Sequence, residues 1–460
     1  MKDACRETCN EPHISETGKT SFMIEQIVTR KNMLRAMHQV QKNGGSCGVD
    51  YMPVDDLPKL LDIEQGELIN TVLKGNYVPQ AIKGVYIPKP NKGKRLLGIP
   101  TVQDRLLQQA TLQVIQARFE FEFSDNSFGF RPNKSLHQAV LKSQHYINEG
   151  FQNIVDIDLK SFFDEVDHVL LLQLLYRKIT CKATMRLIRK WLRAPILING
   201  KLLKRRKGVP QGSPLSPLLS NIMLHELDRF LEKKKIRFVR YADDFSLYTK
   251  TKDAAKQLGN MVYKFLRDKL KLPINREKSG IRRPVNFTIL GFGFVPTYKT
   301  GEKGQYQLIV AKKGWEGLKR KLKEVTRKTN PMSFDERVER LNQIQRGWVN
   351  NYRMASIHVK LLDIDGWVRN RLRYCIWHHW KKLEKKRRSL IRLGVEPLQA
   401  YKWSRSRMGG WAIAQSPILV TTITIERLKK RGYIPMLDIY TITSPRLTEP
   451  PCTRPVRTVV

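Results

Sequence analysis

The chain has 460 residues and a formal net charge of +42, from 84 Lys and Arg against 42 Asp and Glu. At roughly 100–200 residues per domain it has room for about three domains, and a hydrophobic share of 41% with 9% aromatics excludes disorder as the main state. So large a positive excess describes partners rather than fold, and it points to a long polyanion. No apolar run approaches the ~18–20 residues that span a bilayer, so no membrane partner is expected. The charge is spread along the chain instead of gathered on one amphipathic helix, which favours nucleic acid over a membrane surface.

The six cysteines, at 5, 9, 47, 181, 375 and 452, form no C-x-x-C pair. That argues against a structural zinc site and against a disulfide framework, and leaves reduced thiols. The N-terminal stretch has charge but no apolar core of a secretory signal, so a cytoplasmic location is expected.

In chain order, residues 1–21 read as a mobile polar tail. From Phe22 to Gln41 the apolar residues Ile24, Ile27, Val28, Leu34, Met37 and Val40 recur at helical spacing. Residues 43–50 form a glycine-rich loop. Residues 85–100 read as a hairpin with lysines at its Pro/Asn/Gly turn. Residues 101–123 carry a helical pattern. Residues 153–159 alternate as a strand, and 238–248 read as strand, acidic turn, strand. After Ala311 long basic helical patterns dominate to about residue 395, broken at Asn330-Pro331. Two of the strand units are hairpins, so the first 300 residues fit an antiparallel α+β domain better than a βαβ repeat.

Clustered carboxylates stand out in so basic a chain. Asp156 and Asp158 are two apart in a strand pattern and share one sheet face. Asp243 and Asp244 sit at the apex of the second hairpin, between Tyr241 and Phe245. Adjacent like charges at a tight turn are costly unless a cation neutralises them. Mg²⁺ is the natural cation, because it takes carboxylate oxygens together with substrate phosphates. Three carboxylates on neighbouring strands can hold two ions about 3.5–4 Å apart, the arrangement that activates a hydroxyl and stabilises a leaving pyrophosphate.

Tyr241-Ala242-Asp243-Asp244 resembles the Y-x-D-D signature of reverse transcriptases. Ile157 to Asp164 (I-D-L-K-S-F-F-D) resembles their first palm motif, in which the metal-binding Asp precedes an aromatic by five positions. The resemblance therefore selects Asp158, Asp243 and Asp244 as the catalytic, metal-binding set for two Mg²⁺ ions. It leaves Asp156 and Asp164 as supporting groups. It makes Phe163 the ring beside the 2′ position of the incoming sugar. Ser127 to Pro132 (S-F-G-F-R-P) resembles a further segment of the family and brings Arg131 to nucleic acid. Pro210 to Pro217 resembles the P-Q-G-x-x-[LI]-S-P loop, with Gln211 along the templating pair. Asn275 and Lys278 resemble the motif whose Lys lies near the leaving pyrophosphate, and Leu290-Gly291-Phe292 resembles the primer-grip hairpin. Lys89 and Arg95 occupy the two basic positions that meet the triphosphate, where a hairpin tip can neutralise charge on phosphates.

Two features narrow the resemblance to group II intron proteins. One is the long N-terminal extension with its glycine-rich loop, although Tyr51-Met52 follows Asp50 where near relatives often have Gly. The other is Gly347-Trp348-Val349-Asn350-Asn351-Tyr352, which resembles the G-W-x-x-Y motif of the maturase domain, with Arg371-Leu372-Arg373 and Trp377 continuing the match. The likeness is nearest to the compact proteins of bacterial class C introns, which lack an H-N-H endonuclease. It implies an α+β right-hand polymerase: a tail to 21, fingers with the extension over 22–140, a palm over 141–305, a helical thumb or maturase domain over 306–395, a small DNA-binding segment over 396–442 and a tail over 443–460. It implies intron RNA, an RNA template with DNA primer, target DNA and dNTPs as partners, in a nucleoid-associated ribonucleoprotein of the bacterial cytoplasm. An RNA-binding splicing factor with a vestigial polymerase, and a reverse transcriptase domesticated for defence or repair, are the alternatives. The three retained carboxylates count against the first.

Residues 361–380 also fit one helix by periodicity alone. At ~100° per residue, Leu361, Ile364, Val368, Leu372 and Cys375 form a stripe. Arg369, Arg373, Trp377 and Trp380 fall on an adjacent flank, which suits a phosphate track with stacking positions.

Overall fold

The computed structural model describes residues 22–88, 93–297 and 304–443. The chain divides after Arg283 into two compact units.

The first unit is built on a four-stranded sheet of order β6-β7-β3-β8, comprising β3 (Asn153–Ile157), β6 (Arg237–Tyr241), β7 (Asp244–Thr249) and β8 (Gly280–Arg282). Every pairing in it is antiparallel. Central strands β3 and β7 are buried along most of their length, because helices cover both faces. Helix Lys252–Phe265 packs on β3 and β7, while helices Leu136–Asn148 and Ser216–Lys233 pack on β6. Local chemistry sets the ends of these helices. Ser135 and Gln138 close a capping box, and the Thr251 hydroxyl accepts from the Ala254 amide.

A second sheet has the order β2-β1-β4-β5, with β1 (Ile82–Pro88), β2 (Lys94–Ile99), β4 (Ile196–Ile198) and β5 (Lys201–Leu203). The β1–β2 hairpin is antiparallel and mostly solvent-facing, so its basic side chains are free to reach a ligand. Behind it, buried Asp104 on helix Val102–Glu120 accepts from Tyr77 Oη at 2.9 Å, Trp191 Nε1 at 2.9 Å, Thr101 Oγ1 at 3.0 Å and the Gln80 amide at 3.2 Å. Four donors on one carboxylate lock the base of the hairpin to the helices below it.

The second unit opens with a three-stranded antiparallel sheet, β9 (Thr288–Ile289), β10 (Phe292–Pro296) and β11 (Tyr306–Val310), and is otherwise helical. Its long helices are Lys312–Val325, Phe334–Tyr352 and His358–His379. The break at Asn330-Pro331 lies where the sequence placed it. Buried Arg337 bridges it, donating to the carbonyls of Val325 at 2.6 Å, Arg327 at 3.1 Å and Asn330 at 3.1 Å. Asp365 accepts from the amides of Met436 and Leu437 at 2.9 and 3.0 Å, which caps helix Met436–Thr443.

One local expectation changes. The N-terminal pattern is two helices, Phe22–Val28 and Arg30–Asn43, separated at Thr29. The break shifts the helical phase, so Met33 is buried and Leu34 is 39% exposed. The described cysteines, Cys47, Cys181 and Cys375, are free thiols. Cys5, Cys9, Cys452 and both terminal tails lie outside the described residues. Among the described residues, no helix is long and apolar enough to cross a membrane.

Candidate active site

The chain leaves β3 at Ile157, and the next residue is Asp158. Its backbone is fixed from the segment Asn275–Ser279: the Asp158 amide donates to Ser279 Oγ at 3.0 Å, and the Asn275 amide donates to the Asp158 carbonyl at 2.8 Å. Its carboxylate Oδ2 accepts from Asn275 Nδ2 at 3.0 Å and lies 3.3 Å from Lys278 Nζ. Ile157 pairs with Phe245 across the antiparallel β3–β7 ladder, so Asp158 continues to the level of Asp244.

Asp243 and Asp244 come from the β6–β7 hairpin, in which Tyr241 pairs with Asp244. The tight turn puts Ala242 in the left-handed region, at φ 58°. Gly129 of the S-F-G-F-R-P segment lies against it: a Cβ on Gly129 would stand 2.2 Å from the Ala242 nitrogen, so no other residue fits.

The carboxylates feel one another. Asp244 opens to solvent on one side, yet burial, followed by the charges of Asp243, Asp158 and Asp156, pushes its pKa up to about 6, against the pull of Lys278. Burial raises Asp243 too, while Arg95 lowers it and Asp158 adds to the rise. Asp156 is raised by burial and held down by Arg282, whose Nε donates to its Oδ2 at 2.9 Å. Among the described residues, no three His, Cys, Asp or Glu side chains are already drawn into one metal shell. The donor set nevertheless suits a hard divalent cation: oxygen ligands, close enough to oppose each other's ionisation, with an ammonium resting against one of them.

Two of the residues expected around the nucleotide, Arg95 and Gln211, meet beside the same turn. Arg95 on β2 donates through Nε to Gln211 Oε1, and its charge is felt at Asp243. The Gly98 amide donates to the Gln211 carbonyl at 2.8 Å. Gly212 has φ 128°, and a Cβ there would stand 2.5 Å from the Gly98 carbonyl oxygen, so this approach of loop to strand requires glycine. Phe163 is buried and meets Phe162 edge-on at 5.5 Å. Its carbonyl accepts from the Val209 amide at 2.7 Å, which joins the first motif to the P-Q-G loop. Lys89 lies outside the described residues.

Two comparisons with known families cover most of the described chain. Residues 87–294 match the reverse transcriptase (RNA-dependent DNA polymerase) family, and residues 316–394 match the group II intron maturase-specific domain. Protein YkfC of Escherichia coli is 32% identical over 306 residues, covering 58% of this chain and 80% of that protein. The chain belongs to the family of group II intron-encoded reverse transcriptases and maturases. Group II intron-encoded protein LtrA of Lactococcus lactis is 39% identical over 175 residues, which is 38% of this chain and 29% of that longer relative. An uncharacterized 91 kDa protein in the cob intron of Schizosaccharomyces pombe is 33% identical over 219 residues, 46% of this chain and 26% of that one.

For a group II intron reverse transcriptase, the division after Arg283 falls inside the expected palm over 141–305 and puts Leu290-Gly291-Phe292 in the second unit, and three expected nucleic-acid residues need correction. Arg131 does not face nucleic acid. Its side chain is 4% exposed, paired with Glu120 at 2.8 Å and donating to the carbonyls of Ser124 at 2.5 Å and Ser127 at 2.8 Å, so it shapes its own loop. Arg373 is 6% exposed, with Nε donating to the Ile423 carbonyl at 3.0 Å and Nη1 to Asn370 at 2.9 Å. Trp377 is buried as well, with Lys386 over its ring at 4.4 Å. Later chain covers this flank: Ile423 meets Arg373, and helix Leu383–Arg392 brings Lys386 over Trp377. Arg369 remains half-exposed. The apolar stripe from Leu361 to Cys375 is buried, as its spacing indicated.

The maturase segment also supports the turn at Leu290-Gly291, where both residues have positive φ, 51° and 86°. Tyr352 packs against Phe292 at 5.1 Å and Trp348 at 4.8 Å, and Trp348 meets Trp315 at 4.6 Å. A Cβ on Gly291 would lie 2.6 Å from Tyr352 Oη, so the glycine admits the tyrosine.

Sequence reasoning passed over Ser279, Arg282 and Arg240. The available signal for Arg240 was a charged residue inside the apolar strand Phe238-Val239-Arg240, a position that needs a buried partner.

Proposed function

We propose that this reverse transcriptase copies intron RNA into cDNA from a DNA primer during retrohoming, and that it binds the same RNA to promote splicing. The observation that carries the polymerase half is the convergence of Asp158, Asp243 and Asp244 with Arg95, Gln211 and Lys278 from five separate segments. Asp158, Asp243 and Asp244 would hold two Mg²⁺ ions, which supply charge neutralisation for the attacking 3′-hydroxyl and the leaving pyrophosphate. The chain's own groups do the rest. Arg95 and Lys89 bind the triphosphate, and Gln211 orients Arg95 while lying along the base pair. Lys278, 62% exposed beside Asp158, neutralises phosphate charge as it develops. Phe163 walls the sugar site and excludes a 2′-hydroxyl.

For the maturase half, splicing chemistry belongs to the RNA. The protein favours the active RNA fold by binding it preferentially. Residues 396–442 meet target DNA, a role supported by the exposed Tyr401 stacked under Arg405 at 3.6 Å. The protein works in the bacterial cytoplasm as a ribonucleoprotein near the nucleoid.

Primer extension on an RNA template with Mg²⁺ and dNTPs, beside the Asp243→Asn protein, tests the polymerase reading. Synthesis by the wild type alone supports it. A folded, RNA-binding wild type that makes no cDNA sinks it in favour of a splicing factor.

A further inference from the structure

Directly beneath the catalytic turn lies the largest fully buried side chain among the described residues, Arg240, at 0% exposure. All three nitrogens of its guanidinium donate. Nε donates to Asp228 Oδ1 at 2.8 Å, Nη2 to Asp228 Oδ2 at 2.6 Å, and Nη1 to both Asn221 Oδ1 at 2.9 Å and the Ala242 carbonyl at 3.0 Å. Asp228 and Asn221 are themselves fully buried on helix Ser216–Lys233, seven residues apart and so on one face. Asn221 Nδ2 donates onward to the Gly129 carbonyl at 2.9 Å, and Gly129 is the residue whose backbone presses on the Ala242 nitrogen. The backbone of Arg240 is tied to the same segment, accepting from the Phe128 amide and donating to the Asn126 carbonyl, both at 2.9 Å.

Ala242 thus has Gly129 close beside its nitrogen, with no room for a side chain between them, and is held at its oxygen by Arg240, in a conformation that costs an L-residue about 1–2 kcal/mol. Its carbonyl belongs to the peptide plane that begins Asp243. Fixing that oxygen fixes where the Asp243 side chain starts. A buried ion pair adds little stability over an apolar pair of similar volume, so stability alone does not account for a charge here. Strain that persists only because its surroundings over-determine it is a mark of positioning.

We propose that Arg240, backed by Asp228 and Asn221, is a positioning residue that clamps the Ala242–Asp243 turn and sets the placement of Asp243 and Asp244 for nucleotidyl transfer. The proposal rests on the polymerase reading of those two carboxylates.

Two variants test it. Asp228→Leu with Arg240→Met replaces the pair by apolar groups and leaves no buried charge. Arg240→Lys keeps the charge beside Asp228 but lacks the forked arm that reaches Ala242. The measurements are thermal melting, affinity for an RNA–DNA primer-template, single-turnover extension rate, and amide hydrogen exchange over residues 239–246. Both variants should bind primer-template with unchanged affinity and lose on the order of 10²-fold in single-turnover rate, the scale of a misplaced catalytic group. Exchange at the turn should quicken while helix Ser216–Lys233 stays protected. A folded variant of either kind that keeps the wild-type rate overturns the clamp, as does a rate loss with unaltered exchange at the turn. If the double variant does not fold, Arg240→Lys decides alone. A wild type that cannot extend a primer would instead defeat the polymerase reading, and the exchange result would still report on the clamp.

Discussion

Arg95 in the first unit was expected at a nucleotide triphosphate and Arg373 in the second at nucleic acid, and these two arginines lie in opposite environments. Arg95 stands on a solvent-facing hairpin, pairs with Gln211 and is felt electrostatically at Asp243. Arg373 turns into the protein and meets the Ile423 carbonyl. The difference lies in the elements that carry them. On a two-stranded hairpin, alternation decides the side on which a residue emerges, and little else can cover it. On a helix, a period of 3.6 residues fixes the angle of a side chain, but a later segment of chain decides whether that angle meets solvent or another helix. Motifs on hairpins and tight turns are therefore safer guides to a site than flanks of helices.

The sharpest way to break this contrast is at Asp243 in the first unit, the proposed metal ligand. Asp243→Asn should reduce primer extension by on the order of 10³-fold or more, beyond the loss typical of removing one stabilising donor, while RNA affinity stays nearly intact. Equal loss of both in a binding assay would mean that the turn organises the fold rather than the chemistry. Next in size is Phe163→Ala, which should raise rNTP incorporation relative to dNTP by roughly 10–100-fold, the discrimination available to a pocket that excludes one small group. Unchanged sugar selectivity in a competition assay would remove Phe163 from the sugar site.

Asp158, Asp243 and Asp244, Arg95 and Phe163 were all singled out from short motifs, because the roles proposed for them need fixed residue types at fixed spacing. Arg131 misled because a motif position says that a residue matters, and not whether it meets substrate or, as here, the carbonyls of its own loop. Trp377 misled because a tryptophan on a basic flank reads alike whether it stacks on a base or fills a gap between helices.

The second unit yields a smaller effect of a different kind. Arg373→Met should lower its stability by about 1–3 kcal/mol, through carbonyls left without donors, with no change in the salt dependence of RNA binding. A shallower salt slope with an unchanged melting curve would return Arg373 to the nucleic-acid surface. Smallest is a pH effect at the catalytic turn. Asp244 holds its proton to about 6 in the folded chain, against an ordinary 3.8. The folded state therefore binds more protons than the unfolded one between ~4 and ~6, and this carboxyl makes the protein less stable as pH rises through that window. Melting of metal-free protein should show that decline, and Asp244→Asn should flatten it. Superimposable slopes for the two proteins would show that Asp244 is not crowded by its neighbours.

By itself the sequence determined that this chain is a basic, nucleic-acid-directed polymerase. It supplied the three carboxylates on two strand units, the hairpin arginine, and the order of motifs that carries the family. Those features depend on chemistry and on spacing within a single element, where covalent geometry controls direction. The tertiary structure alone decided that Arg240 lies beneath the catalytic turn, that Gly129 presses on Ala242, and that Arg131, Arg373 and Trp377 point inward. Each of these depends on residues far away in the chain arriving at the same place, and a buried polar group takes whichever partner arrives, because the alternative is a charge or donor left in a medium that cannot solvate it.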